Sequence, residues 1–318
     1  MLKEVSKKAY DVVIIGGGVV GYSAAIYCGR LKLKTIVIEK EIGGNLAKID
    51  DIENYPGFQK ISGINLVNKI KNHAKNYEVE FYNGEVVKVS KTKNCISVKT
   101  KKNDYLAKTI IFCTGSKVRK LEIPGEKEFE GKGVHYCALC DGPLYKNKVL
   151  AVAGGGDSAA KEALLLSKYA KKIYMIARNK LKPNPINDER IKQNKKIQII
   201  EDNQIQEIKG DKFVKEIVLK NKLNNSNTLN IDGIFVYIGH IPLSDLAVEL
   251  GVKINKNKEI ITDKESKTNI EGIYAAGDVS EGKFKQAITG VGEAVKAVYS
   301  AYEYITKKGI NFRCTIEH

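Results

Sequence analysis

Long apolar runs are missing from this sequence. The stretch at residues 12–15 ends at once in glycines, and no segment approaches the ~20 apolar residues that a membrane-crossing helix needs. Cysteine is scarce: six in 318 residues, too few and too irregular for a disulfide framework. Arginine is scarcer, confined to Arg30, Arg119, Arg178, Arg190 and Arg313, so the net charge of +16 is carried by dispersed lysines. Nucleic-acid readers cluster arginine with aromatics along one face. No such stripe occurs, and runs such as Lys222-Leu223-Asn224-Asn225 resemble base-composition bias instead. Neither a nucleic-acid nor a membrane partner is expected, although the positive field suits an acidic partner protein. The polar, lysine-rich residues 1–10 lack secretory-signal character. A cytoplasmic location is therefore expected, where a disulfide is more often catalytic than structural.

What is present is an ordinary globular composition, 43% hydrophobic and 28% charged, in a chain long enough for two domains. The β-branched run Asp11-Val12-Val13-Ile14-Ile15 reads as a buried parallel strand. It leads into Gly16-Gly17-Gly18-Val19-Val20-Gly21, a G-x-G-x-x-G, followed by a helix over 22–31 and a second strand over 34–39 ending in Glu39. In such a unit Gly16 permits the tight turn, Gly18 lets backbone approach a pyrophosphate, and Gly21 lets helix pack on strand. The helix N-terminus offers free N–H groups to phosphate, and Glu39 is placed for ribose hydroxyls. A second unit follows: a strand over 148–153, Gly154-Gly155-Gly156-Asp157-Ser158-Ala159, a helix to about 170 and a strand over 173–177. Two fingerprints imply two dinucleotides, unless the second is a duplicate that has lost its ligand.

Between the two loops stands Cys137-Ala138-Leu139-Cys140, followed by Asp141-Gly142. Cysteines at this spacing close and reopen a small disulfide ring by thiolate exchange. Flanked by nucleotide loops, the pair reads as the dithiol of a flavin enzyme. A zinc site is the competing reading, since His135 precedes Cys137 and Cys314 and His318 have ligand-like spacing. Zinc sites usually join two close knuckles, which these are not, so no metal is expected and His135 reads as a packing or surface residue. Cys28, Cys95 and Cys113 read as small buried hydrophobes, and Cys314 as a free thiol.

In combination these motifs resemble the low-molecular-weight thioredoxin reductases, from about residue 10 to 304. The resemblance is carried by Gly16–Gly21, Gly43-Gly44-Asn45, Glu53-Asn54-Tyr55-Pro56-Gly57, Thr114-Gly115, Cys137–Cys140 with Asp141-Gly142, and Gly154–Ala159. Gly239-His240-Ile241-Pro242, Gly277-Asp278 and Lys285-Gln286-Ala287 complete it. It implies an α/β fold of two Rossmann-like, three-layer ββα domains, the second inserted in the first. FAD would be held by residues 1–116 and 246–318, with an NAD(P)-binding-like domain at 117–245 carrying the C-x-x-C. The connections near Ser116-Lys117-Val118 and Ser244-Asp245 would form a hinge, and the family is usually homodimeric. The resemblance assigns FAD to Gly16, Gly18, Gly21, Glu39, Gly44, Asn45, Asn54, Thr114, Gly115, Gly277, Asp278, Lys285, Gln286 and Ala287. It assigns the pyridine nucleotide to Gly154, Gly156, Asp157, Ser158, Ala159 and Arg178. Cys140 would take electrons from the flavin side, Cys137 would exchange with thioredoxin, and Asp141 would serve as acid–base. A capping or turn role for Asp141 before Gly142 stands beside that reading.

The chain departs from the pattern where NADPH-using relatives carry a His-Arg-Arg…Arg cluster. Here the segment reads Ala177-Arg178-Asn179-Lys180-Leu181-Lys182-Pro183, with Arg178 alone in place and Lys180 or Lys182 as substitute point charges. No acidic residue ends the strand in the manner of an NADH site. The donor is thus NADPH, NADH or, as in some relatives, ferredoxin. The expected activity is reduction of a thioredoxin-like protein. The alternatives are reduction of another small disulfide protein, or a flavin-binding redox sensor without turnover.

Overall fold

A computed structural model of the chain describes residues 8–308 apart from 50, 51, 53, 93 and 94. Glu53, Cys314 and His318 of the motifs above lie outside the described residues, as do the side chains of Leu139 and Cys140. The chain divides into two compact units, Met1–Lys117 with Ile241–His318, and Val118–His240, so the second interrupts the first.

In the first unit the strand Lys8–Ile15 lies between two parallel neighbours, Thr35–Glu39 and Asp104–Phe112. Strand side chains alternate between faces, and a sheet covered on both sides needs apolar residues at every position. Val13 and Ile15 enter one core with Ile36, Ile38, Ile110 and Phe112. Val12 and Ile14 enter the other with Val37, Ile111 and Tyr274. The second core is closed by Tyr22, Ala25 and Cys28 of the helix Val19–Arg30 and by Ala294, Val298 and Ala301 of Ala287–Lys308. The first is closed by Val86, Val89, Ile96 and Val98, from the antiparallel strands Val86–Lys91 and Ile96–Thr100. Each isoleucine or phenylalanine so buried contributes about 1.5–3 kcal/mol.

The second unit repeats the plan. Its five-stranded sheet runs Ile197–Ile200, Lys172–Ile176, Val149–Ala153, Gly233–Val236 and Val134–His135, every pairing parallel. Leu150, Val152, Ile173 and Met175 meet Ala159, Ala160, Ala163 and Leu166 of the helix Asp157–Ser167. The other face takes Ile208, Val214, Ile217 and Leu219 from a three-stranded antiparallel sheet, Ile205–Gly210, Val214–Leu223 and Ser226–Asn230. The segments that carry the chain across, Ser116–Val118 and His240–Pro242, pair as a two-stranded ribbon.

Two boundaries differ from expectation. The first helix begins at Val19, not at 22, because Gly18 is already its extended N-cap. The first strand begins at Lys8, three residues early, because its neighbour Asp104–Phe112 is long enough to pair with Lys8, Ala9 and Tyr10.

Candidate functional site

The glycines of the first loop divide by what surrounds them. A Cβ on Gly16, where φ is +122°, would lie 2.1 Å from the Cys113 carbonyl oxygen, and one on Gly21 would lie 1.9 Å from that of Gly16. These two are fixed by the protein's own backbone. Gly18 differs: its Cβ would come no nearer than 3.9 Å to anything. Gly44 is nearly as open at 3.7 Å, and Gly115 has nothing within 4 Å. The open side of this cradle leaves room for an anionic group such as a pyrophosphate to approach the backbone. The N-terminus of Val19–Arg30 has no side-chain cap and no acid in its first turn, so its free N–H groups suit an anion.

Residues distant in sequence converge around this cradle. The Gly43 N–H donates to the Gly17 carbonyl at 2.7 Å, drawing Gly44 and Asn45 onto the loop. Asn45 Nδ2 donates to the Ser116 carbonyl at 2.7 Å, and Ser116 Oγ donates to Asp278 Oδ2 at 3.1 Å. Lys285 Nζ donates to the carbonyls of Asp278 and Ser280, both at 2.8 Å, and pairs with Glu259 at 2.6 Å. Asn54 Nδ2 donates to Gln286 Oε1 at 2.8 Å, Thr114 Oγ1 to the Leu243 carbonyl at 2.6 Å, and Ala287 opens the last helix. The Gly277 N–H donates to Glu293 Oε2 at 2.7 Å. Glu39 is buried, its carboxylate paired with Lys71 Nζ at 2.5 Å and accepting the Tyr22 hydroxyl. Burial, then the bond to Glu39, pushes the Tyr22 phenol far above its usual range. A carboxylate has about four lone-pair sites, so Glu39 keeps acceptor capacity for a ribose diol. The residues present fit FAD. Ser116, Glu293, Glu259, Tyr22 and Lys71 were not read from the sequence as site residues, because none lies within a motif of fixed spacing.

The second loop has the same division. A Cβ on Gly154 would lie 2.2 Å from the Tyr237 carbonyl oxygen, Gly156 has nothing within 4 Å, and Ala159 is fully buried. Asp157 accepts from the Asn184 N–H at 2.9 Å and from Asn187 Nδ2 at 2.8 Å, and pairs with Lys161 at 2.9 Å. Against the upward push of burial, these partners hold its carboxyl below the usual range. Ser158 and Arg178 are exposed. Lys180 is not the spare cation the sequence suggested: Glu201 holds it at 3.0 Å and Asp202 at 2.9 Å.

At the dithiol, Cys137 is held in a disulfide. It precedes the short helix Ala138–Asp141, where the Asp141 N–H donates to the Cys137 carbonyl at 3.1 Å and the Ala138 N–H to the Tyr237 hydroxyl at 2.6 Å. Asp141 stands at the N-cap of Gly142–Tyr145, yet its side chain makes no cap bond. It turns instead to His135, with Oδ2 3.0 Å from Nδ1. His135 is buried at 7% exposure rather than on the surface. Among the described residues no three His, Cys, Asp or Glu side chains gather as a metal site, and no helix is long and apolar enough to cross a membrane. Cys28 and Cys113 are buried free thiols, and burial pushes Cys28 up to about 12 and Cys113 higher still. Cys95 is buried as expected but is not a thiol, being held in a disulfide.

One acid in this unit carries a pH signature. Burial pushes Glu162, on the helix Asp157–Ser167, from 4.5 to about 7. A carboxyl raised in the folded state favours folding while protonated. Its contribution is complete below pH ~4.5 and is lost as pH rises through about 7, on the order of 3 kcal/mol across that window. Glu162→Gln should flatten the fall in melting temperature between pH 5 and 8. An unchanged slope would place Glu162 in contact with water.

The chain belongs to the pyridine nucleotide-disulphide oxidoreductase family, whose sequence profile matches residues 10–294. Within it, the chain is 38% identical to thioredoxin reductase of Bacillus subtilis over 94% of its own length and 96% of that relative's. It also resembles the crystal structure of Lactococcus lactis thioredoxin reductase, with a TM-score of 0.88 at 38% identity, covering 94% of this chain and 99% of that one. The crystal structure of T. acidophilum thioredoxin reductase gives a TM-score of 0.85 at 34% identity, covering 96% of this chain and 100% of that one.

Proposed function

We infer that the protein is a flavin-dependent thioredoxin-disulfide reductase. The observation that carries this reading is the Cys137 disulfide with Asp141 beside it, set in sequence between two nucleotide loops whose middle glycines face open space. Bound FAD would supply two-electron transfer from a reduced pyridine nucleotide to the disulfide. The first unit would hold FAD, with Gly18, Gly44 and Gly115 against the pyrophosphate, Glu39 on the ribose and Asp278, steadied by Ser116 and Lys285, toward the ribityl phosphate. The second unit would hold NADPH or NADH on Gly154, Gly156, Ser158 and Ala159, with Arg178 toward the adenosine end. Cys140 would receive electrons and Cys137 would exchange with thioredoxin, while the Asp141 carboxyl holds and returns the proton that each departing thiolate needs. A cytoplasmic homodimer agrees with this reading.

The test is direct. The purified protein should be yellow, carry a single FAD per chain, and reduce thioredoxin in steady state with a nicotinamide donor. A colourless protein that takes up no FAD on reconstitution would refute the reading. A yellow protein that leaves thioredoxin oxidised with every donor would reduce it to a redox sensor.

A further inference from the structure

The strand Val134–His135 forms the edge of the second unit's parallel sheet, beside Gly233–Val236. It sets the His135 imidazole among aromatic rings. Phe235 stacks on it with centroids 5.2 Å apart, and Tyr145 meets it edge-on at 5.3 Å. Nε2 lies 2.7 Å from the Tyr145 hydroxyl, and Nδ1 lies 3.0 Å from Asp141 Oδ2. Both ring nitrogens therefore have partners, and the ring plane is clamped.

The hydrogen-bond chemistry fixes one proton. An ionised carboxylate only accepts, so the nitrogen facing Asp141 must carry a hydrogen. Nδ1–H therefore donates to Asp141, and Nε2 is left to Tyr145. Burial, ahead of the charges of Asp141 and Asp232, pushes the Tyr145 phenol up to about 12, so at neutral pH it keeps its proton and donates to Nε2. The chain Tyr145–His135–Asp141 thus runs in one direction and ends on the carboxyl of the residue that follows Cys140 in sequence. The Asp141 N–H donates to the Cys137 carbonyl, and the Ala138 N–H at the start of the same turn donates to the Tyr237 hydroxyl.

We propose that His135 is a positioning residue for the reductase reaction: its Nδ1–H orients the Asp141 carboxyl for proton delivery to the thiolate that departs from the partner disulfide. The inference deepens the proposed role of Asp141 and rests on it. In that step the Cys137 thiolate attacks one partner sulfur; a Cys137–sulfur bond forms and the partner S–S bond breaks. The departing partner thiolate takes the proton that Cys137 had left on Asp141. Cys140 then displaces the partner's second sulfur from Cys137, and the Cys140 proton reaches that thiolate through the same carboxyl. The enzyme dithiol is oxidised, the partner disulfide is reduced, and two electrons and two protons pass.

The leaving group supplies the test. A thiol of ordinary pKa leaves slowly without a proton, whereas an aromatic thiolate of low pKa needs none. Holoenzyme reduced with dithiothreitol and freed of it is mixed, in single turnover, with oxidised thioredoxin or with dithiobis(nitrobenzoate). His135→Phe keeps an aromatic ring in the stack and removes both nitrogens. It should slow thioredoxin reduction about 10- to 100-fold, a part of what a positioned acid supplies. The aromatic disulfide should react within about twofold of the wild-type rate. His135→Asn restores an N–H near the Nδ1 position and should bring the thioredoxin rate back to within about threefold. Equal slowing with both disulfides would mean displaced cysteines and would overturn the proposal, as would an Asn variant no faster than Phe. Asp141→Asn separates the two readings. If it is slow and His135→Phe is not, the proposal for His135 alone is lost. If it too is unimpaired, the role of Asp141 is lost with it.

Discussion

Cys137→Ser is expected to retain its flavin and its fold while thioredoxin reduction falls by at least about three orders of magnitude, because no other group can take over the exchange. Cys140→Ser should be as inactive in turnover but different in kind. With Cys137 still able to attack and no second thiol to resolve the product, it should accumulate a mixed disulfide with thioredoxin. That adduct would appear as a band of summed mass on a non-reducing gel and vanish with dithiothreitol. Cys137→Ser should show none. The reverse pattern would exchange the two roles, and full activity in either variant would remove the dithiol from the mechanism. The remaining cysteines give little interference from the core, since Cys28 and Cys113 are buried thiols with raised pKa values.

The second large effect concerns the donor. Charge-assisted hydrogen bonds are each worth about 1.5–3 kcal/mol. With Asn179 and Pro183 standing where NADPH-using relatives have arginine, about 3–6 kcal/mol of 2′-phosphate recognition is missing, two to four orders of magnitude. Lys180 does not replace it, because Glu201 and Asp202 neutralise that ammonium and add two carboxylates that repel a phosphate. NADH and NADPH should therefore be used with kcat/KM values within about tenfold of each other. Asn179→Arg with Pro183→Arg should raise the NADPH-to-NADH ratio by about a hundredfold or more. A wild-type preference for NADPH beyond about a hundredfold would show that Arg178 and Lys182 suffice. Failure of both nucleotides to bleach the flavin, with reduced ferredoxin succeeding, would move the donor to another class.

The two strand–glycine loop–helix units were legible in the sequence because their signal is local: a β-branched strand, glycines at fixed offsets and a helix. Gly16, Gly18 and Gly21 have the surroundings their spacing implies, as do Gly154 and Ala159. The segment around Cys95 was legible as β-rich, but not the individual antiparallel strands over 86–100, nor those over 205–230. Their outer faces are rich in lysine and asparagine, so half of each strand looks like loop. The links at the sites were hidden for another reason. Glu39 to Lys71 spans a helix, Asp278 to Ser116 spans 162 residues, and Gly277 to Glu293 joins backbone to side chain. None has a spacing that sequence reading can test. The sequence allows a packing role for His135, which its burial bears out, but not its partner: the aspartate six positions on reaches it only through the turn of Ala138–Asp141.

Tyr237 touches both halves of the second unit's chemistry. Its carbonyl occupies the place a side chain on Gly154 would need, and its hydroxyl receives the Ala138 N–H. One residue thus serves as a gauge block between the nucleotide loop and the turn bearing Cys137. The separation between them is thereby set by the length of one tyrosine side chain and not by the intervening chain alone.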